Sequence, residues 1–209
     1  MIKRLLTGLC ALLSLALPAA AQQIVYGNAK ALAEERGDTV TTLHVERRTL
    51  NQLYLMGGAD YRIESSANRS LSRYLRKRCY AVRIDTNLYV NCRKMRYHRY
   101  RLGGWYAAAL EVGGHVFYAA QPVGQAATET LTPDDAQKLP GEVGDAIQAS
   151  GLVGKRVYYE LDLETGRSTF VGKERMRELL AGRPELLRKF EEETSESAEV
   201  MEKYLRQLK

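Results

Sequence analysis

Two cysteines, Cys79 and Cys92, bound the stretch CYAVRIDTNLYVNC. Residues of this type can form a disulfide staple, a redox or metal pair, or neither. Metal ligation has little support. There is no CxxC spacing, and the three histidines, His44, His98 and His115, lie far apart in sequence. Cys92 and His98 could in principle form a thiol–imidazole dyad, with nearby arginines lowering the thiol pKa. Nothing in the spacing brings the two side chains together. Glu160 and Asp162 alternate along a β-type run and share a face, the arrangement that acid/base chemistry needs. The same pattern also describes a solvated face beside a turn. GxSxG, P-loop and HExxH motifs do not occur, so no catalytic residue, metal ligand or cofactor is assigned.

Whether the cysteines meet depends on hairpin register, because a one-residue slip moves every side chain to the other face. A two-residue loop, Asp85-Thr86, would put Cys79 opposite Cys92. It would also set Ile84 against Asn87 and Tyr80 against Asn91, mixing polar and apolar groups on one face. A three-residue loop, Asp85-Thr86-Asn87, pairs Ile84 with Leu88, Val82 with Val90 and Tyr80 with Cys92. That leaves one apolar and one mostly polar face, as a half-buried antiparallel pair requires. We therefore expect the three-residue register, with Cys79 and Cys92 on opposite faces, no disulfide, and Cys92 as a small core residue.

The strongest compositional signal is charge. Between Arg69 and Arg101 there are eleven Lys or Arg and one acid, Asp85, whereas residues 105–209 hold 13 basic and 18 acidic residues. Tyr74, Tyr80, Tyr89, Tyr97, Tyr100 and Trp105 are interleaved with the bases. Such a mixture fits phosphate neutralisation and base stacking. It fits anionic lipid headgroups or acidic glycans equally well. A plainer reading pairs the basic layer with acidic C-terminal residues such as Glu191, Glu192 and Glu193.

The N-terminus decides between these partners. MIKRLLTGLCALLSLALPAAAQQ has a basic start at Lys3 and Arg4, a short apolar run and a small-residue site ending at Ala21. This is the layout of a secretory signal peptide. The apolar run falls short of the roughly 20 residues that span a bilayer. The expectation is export to the periplasm or beyond the cell, which disfavours nucleic acid.

The elements that would carry these residues can be read from their periodicity. Asn28–Arg36 and SANRSLSRYLRKR read as helices, and TVTTLHVE and DYRIES as strands. TLNQLYLMGG reads as a helical turn ending at Gly57-Gly58. Gly113-Gly114 signals a hairpin in which Leu110 faces Phe117, and Glu164-Thr165-Gly166 signals another. The Ala/Gly-rich stretch from Gly124 to Gly154 reads as a linker with one or two short helices. In RMRELLAGRPELLRKF, Gly182 ends one helix and Pro184 opens the next. Val200, Met201, Tyr204, Leu205 and Leu208 then form a helical stripe. The fold class is α+β, an antiparallel sheet of hairpins packed by helices with a C-terminal helical hairpin. The expected divisions are a signal peptide (1–21), an α+β domain (22–172) and a C-terminal helical segment (173–209).

From about Leu88 onward the blocks LYVNCRKMRYHRYRLGGWYAAAL, HVFYAA, RVYYELDLETGRSTFV and MRELLAGRPELLRKFEEE resemble a family of exported Bacteroidota proteins with no assigned function. The resemblance rests on block order and implies an envelope or secreted setting in a Gram-negative host. It supplies no functional residue. The leading expectation is a non-enzymatic binding or scaffolding module that contacts anionic envelope lipid or glycan, or an envelope protein. Its candidate contacts are Arg93, Lys94, Arg96, Arg99, Arg101 and Trp105. Two alternatives are an enzyme with an acidic site near Glu160 and Asp162, and an assembly protein that docks through the stripe around Tyr204.

Overall fold

The computed structural model describes residues 22–130, 154–195 and 197–209. The expected signal peptide and most of the expected linker lie outside them. The chain builds a twelve-stranded sheet with seven helices among the described residues. The strands are β1 (Gln23–Tyr26), β2 (Asp38–Val40), β3 (Leu43–Arg47), β4 (Tyr61–Ser65), β5 (Ala81–Ile84), β6 (Asn87–Asn91), β7 (Arg96–Tyr97), β8 (Tyr100–Arg101), β9 (Tyr106–Val112), β10 (His115–Ala120), β11 (Val157–Leu161) and β12 (Ser168–Phe170). The main path runs β2-β1-β5-β6-β9-β10-β11-β12-β7-β8, with β3 and β4 joined at β9. The described pairs are antiparallel except β7 with β12, where Tyr97 lies beside Ser168 in parallel. The architecture is therefore α+β with a mixed, mainly antiparallel sheet.

The helices are α1 (Ala29–Ala33), α2 (Leu50–Met56), α3 (Arg69–Lys77), α4 (Gln125–Thr130), α5 (Lys173–Leu180), α6 (Pro184–Glu191) and α7 (Ala198–Gln207). Asn28 caps α1, and Asn68 caps α3 by accepting from the Ser70 and Leu71 amides. Pro184 opens α6, where its missing N–H costs nothing. The C-terminal segment holds three helices, α5 to α7, rather than a hairpin. It shares a core with the sheet across the expected 172/173 boundary: Met176, Leu180, Phe190, Met201, Tyr204 and Leu205 pack on Val112, Phe117 and Tyr158.

Both faces of the sheet are covered. Ala81, Leu88, Val90, Tyr118 and Tyr159 belong to one buried cluster. On the other side, Val82, Ile63 and Tyr106 pack with Leu75 of α3, and Phe117 and Tyr158 pack beneath α5 to α7.

This double burial corrects the expected cysteine hairpin. The observed partners are Ile84↔Asn87, Arg83↔Leu88, Val82↔Tyr89 and Ala81↔Val90, which is the two-residue Asp85-Thr86 loop with Asp85 at φ 52°. Requiring one apolar and one polar face selects the wrong register because no face here is left to solvent. Of the two polar residues that argued against this register, Asn87 is exposed beside the turn and Asn91 is satisfied inside. Buried Asn91 donates to the Leu75 carbonyl (3.0 Å) and the Cys79 carbonyl (2.8 Å), and its own carbonyl accepts from the Arg93 amide (3.1 Å).

The cysteines still do not meet. Tyr80 and Ala81 both oppose Tyr26: Ala81 is its register partner, and the Tyr80 amide donates to its carbonyl at 2.9 Å. Two residues against one is the geometry of a β-bulge, and both side chains join the same cluster. Alternation breaks there, sending Cys79 to the α3 side and Cys92 to the opposite core. Both thiols are free and buried.

A candidate anion-binding face

The residues from Cys92 to Leu102 alternate between anchors and charges. Cys92, Met95, Tyr97 and Leu102 are buried, which leaves Arg93, Lys94, Arg96, Arg99 and Arg101 exposed. A turn closes the first half, with the Lys94 amide donating to the Asn91 carbonyl (2.8 Å) and the Met95 amide to the Cys92 carbonyl (3.1 Å). The β7–β8 hairpin forms the second half. His98 takes a left-handed φ of 51° at its tip, and the Tyr97 ring sits 5.5 Å from that of Tyr159.

Register then lines up charge. Arg96 is the direct partner of Arg101 across the hairpin. On the other side of β7, the Tyr97–Ser168 bridge places Arg167 beside Arg96. Three arginines thus stand in a row, Arg101 and Arg96 on paired strands, which lie about 4.8 Å apart in a sheet, and Arg167 one residue before β12. Like charges directly opposed on a sheet destabilise it. Among the described residues, none of Arg93, Lys94, Arg96, Arg101 and Arg167 forms an ion pair. Arg99 lies over the Tyr100 ring (5.1 Å) and donates to its hydroxyl (3.0 Å). Lys94, Arg96, Arg99, Arg167 and Lys173 line a groove of ≈ 1530 Å³ between this hairpin and α5; Glu174 and Glu178 stand on its far side. Glu178 is engaged by Arg175 at 2.7 Å.

The acidic C-terminal residues do not neutralise this row. Glu191 pairs with Arg177 (2.6 Å), Glu192 with Arg188 (3.1 Å) and Glu193 with Lys203 (2.6 Å), all within the C-terminal segment. Trp105 is also separate from the row. Its φ is 71°, and its half-buried ring faces Arg48 (5.1 Å) and Arg62 (5.8 Å) on the β3–β4 side. The sequence reading missed Arg167, which is 66 residues from Arg101 and reaches the row only through the parallel bridge.

The acid/base alternative loses its partners. The Glu160 carboxylate accepts from Arg175 (2.8 and 3.1 Å) and lies 2.6 Å from His115 Nδ1. Asp162 accepts from the Thr165 hydroxyl and from the Glu164 and Thr165 amides, which hold its carboxyl below the usual range. Both carboxylates serve the structure. His98 packs edge-on against Tyr97 (4.5 Å), in a different element from Cys92. Among the described residues no group of three His, Cys, Asp or Glu could hold a metal ion. The stripe at Met201, Tyr204 and Leu205 is core.

No curated protein and no solved structure matches the chain. A family model matches residues 24–209. The chain belongs to this family of unknown function, DUF6563.

Proposed function

We propose that the protein is a non-enzymatic binding module, exported to the envelope of a Gram-negative bacterium of the Bacteroidota, that holds an anionic envelope component on its basic face. The row Arg101–Arg96–Arg167 carries the reading. Three aligned guanidinium groups without a carboxylate among the described residues raise the energy of the unliganded face, and an anion removes that repulsion. Arg83, by contrast, is matched by Glu111 (2.6 and 2.7 Å), and the exposed Arg69, Arg73 and Arg76, which have no ion pair among the described residues, lie along helix α3 and are not opposed across strands. The signal-like N-terminus supports an extracytoplasmic partner, lipid phosphate or acidic glycan in place of nucleic acid.

The test is retention on immobilised dextran sulfate and on lipopolysaccharide across a salt gradient. The parent protein elutes late and at a salt-dependent position. The Arg96→Gln/Arg99→Gln/Arg101→Gln variant and Arg167→Gln elute early. Unchanged elution of both variants refutes the assignment.

A further inference from the structure

Helix α2 is built to display apolar side chains. Relative exposures are 72 % at Leu50, 63 % at Tyr54, 83 % at Leu55 and 69 % at Met56, while Leu53 alone is buried. The helix carries no charged residue. Single exposed apolar residues need no explanation, but a contiguous group does. Of the five large hydrophobic residues that are exposed among the described residues, four are on α2 and the fifth is Tyr100 of the basic hairpin.

This helix is held firmly. Thr49 and Gln52 form a reciprocal capping box at its start. At its end, buried Arg48 donates to the carbonyls of Gln52 (2.9 Å), Gly57 (2.7 Å) and Ala59 (2.7 Å). Its last turn also abuts the root of the basic hairpin. Gly58 packs so closely on Gly103 and Gly104 that a Cβ at Gly58 would stand 2.5 Å from the Gly104 carbonyl oxygen. The Ala59 amide donates to that carbonyl at 2.9 Å. One seam therefore joins an uncharged apolar helix to the strand that carries Tyr100 and Arg101.

We infer that this composite edge docks on an anionic phospholipid surface, with Leu50, Tyr54 and Leu55, which share one side of the helix, entering the boundary between headgroups and acyl chains while Arg99 and Arg101 meet lipid phosphates. The inference rests on the anionic-ligand reading above and fixes its partner as lipid. Charge complementarity selects the occupant: apolar side chains beside unpaired cations match an interface that is apolar below and anionic above. No helix among the described residues is long and apolar enough to cross a membrane.

The test is co-sedimentation with sucrose-loaded vesicles of equimolar phosphatidylcholine and phosphatidylglycerol, or of phosphatidylcholine alone. The parent protein pellets with the anionic vesicles only. Leu50→Gln/Tyr54→Gln/Leu55→Gln cuts partitioning by at least about tenfold, because it removes the apolar area that would be buried. These positions are exposed, so its melting temperature and its retention on dextran sulfate stay at parental values. Arg96→Gln/Arg99→Gln/Arg101→Gln loses both vesicle and polymer binding. Parental pelleting by the α2 variant overturns the inference, as does equal pelleting of the parent with neutral vesicles. A parent dimer that the α2 variant converts to monomer, with vesicle binding unchanged, overturns it in favour of a second copy. Polymer retention without vesicle binding overturns the lipid assignment and leaves the basic-face reading standing; loss of both in the parent refutes that reading itself.

Discussion

Arg48 lies across the face of Trp105, its guanidinium carbon 5.1 Å from the ring centroid, while its nitrogens hold three carbonyls at the end of α2. Burial lowers its pKa, opposed by nearby Asp60. The guanidinium fork is what reaches three acceptors, and a lysine ammonium cannot reproduce that geometry. Trp105, in the left-handed region at a cost of roughly 1–3 kcal/mol, is kept there by the contacts around it. Replacing Arg48 with Met strands three carbonyls, and we expect a loss of about 3 kcal/mol, with Arg48→Lys recovering less than half. Urea denaturation gives the magnitude, and hydrogen exchange at residues 50–58 shows whether α2 frays first.

Arg96 is repelled from both sides, by Arg101 and Arg167. Arg96→Gln should raise stability by about 0.5 kcal/mol at low ionic strength while weakening anion binding. Stability and binding move in opposite directions only where a residue is kept for a ligand at the expense of the fold. Melting curves at low and high salt check this, because screening removes the gain over about a Debye length, roughly 3 Å at 1 M salt.

Burial pushes the Cys79 thiol up to about 11 and the Cys92 thiol up to about 12. The folded state keeps these protons at pH values where the unfolded chain releases them. Their contribution is therefore fully present below the ordinary thiol value of 9.0 and is lost as pH rises through about 11 to about 12. Burial moves the Tyr80 hydroxyl the same way, to about 12. Denaturation midpoints should fall steadily above pH 9 in the parent and less steeply in Cys79→Ala. At neutral pH, neither thiol should react with iodoacetamide in the folded protein, and both should react in denaturant without added reductant. Mass spectrometry counts the adducts.

Leu205 is fully buried against the sheet side that carries Phe117 and Tyr158. Leu205→Ala should cost about 3 kcal/mol through lost transfer energy and a residual cavity. Deleting residues 198–209 should unfold the protein. A truncated chain that stays folded and monomeric, with a parental melt, would return the last helix to the role of a docking tail.

Local chemistry made much of this fold legible. Gly113 and Gly114 adopt φ values of 57° and 83°, so the expected pairing of Leu110 with Phe117 is observed. The helix start at Asn28, the stop at Gly182 and the start at Pro184 are equally local signals. The cysteine hairpin failed because its register depends on what covers each face, and α3 together with the deeper core covers both. The basic residues from Arg93 to Arg101 were visible as charge density. Arg167 was not, because a bridge between residues 97 and 168 has no short-range signature. The exposure of α2 was hidden too: LNQLYLM looks like any core-facing turn until the fold turns it outward.

The parallel bridge from Tyr97 to Ser168 also sets an order of events. Hairpins such as β9–β10 close over short loops, whereas joining β7 to β12 closes a loop of about 70 residues, at an entropy cost that grows with the logarithm of loop length. Such contacts form late in folding. Every partly folded chain therefore carries Arg96 and Arg101 without the neighbour that completes their row. On the basic-face reading proposed above, capture of a polyanion would be coupled to completion of the row, and a fragment ending before Ser168 would have the charge of Arg96 and Arg101 without Arg167 beside it.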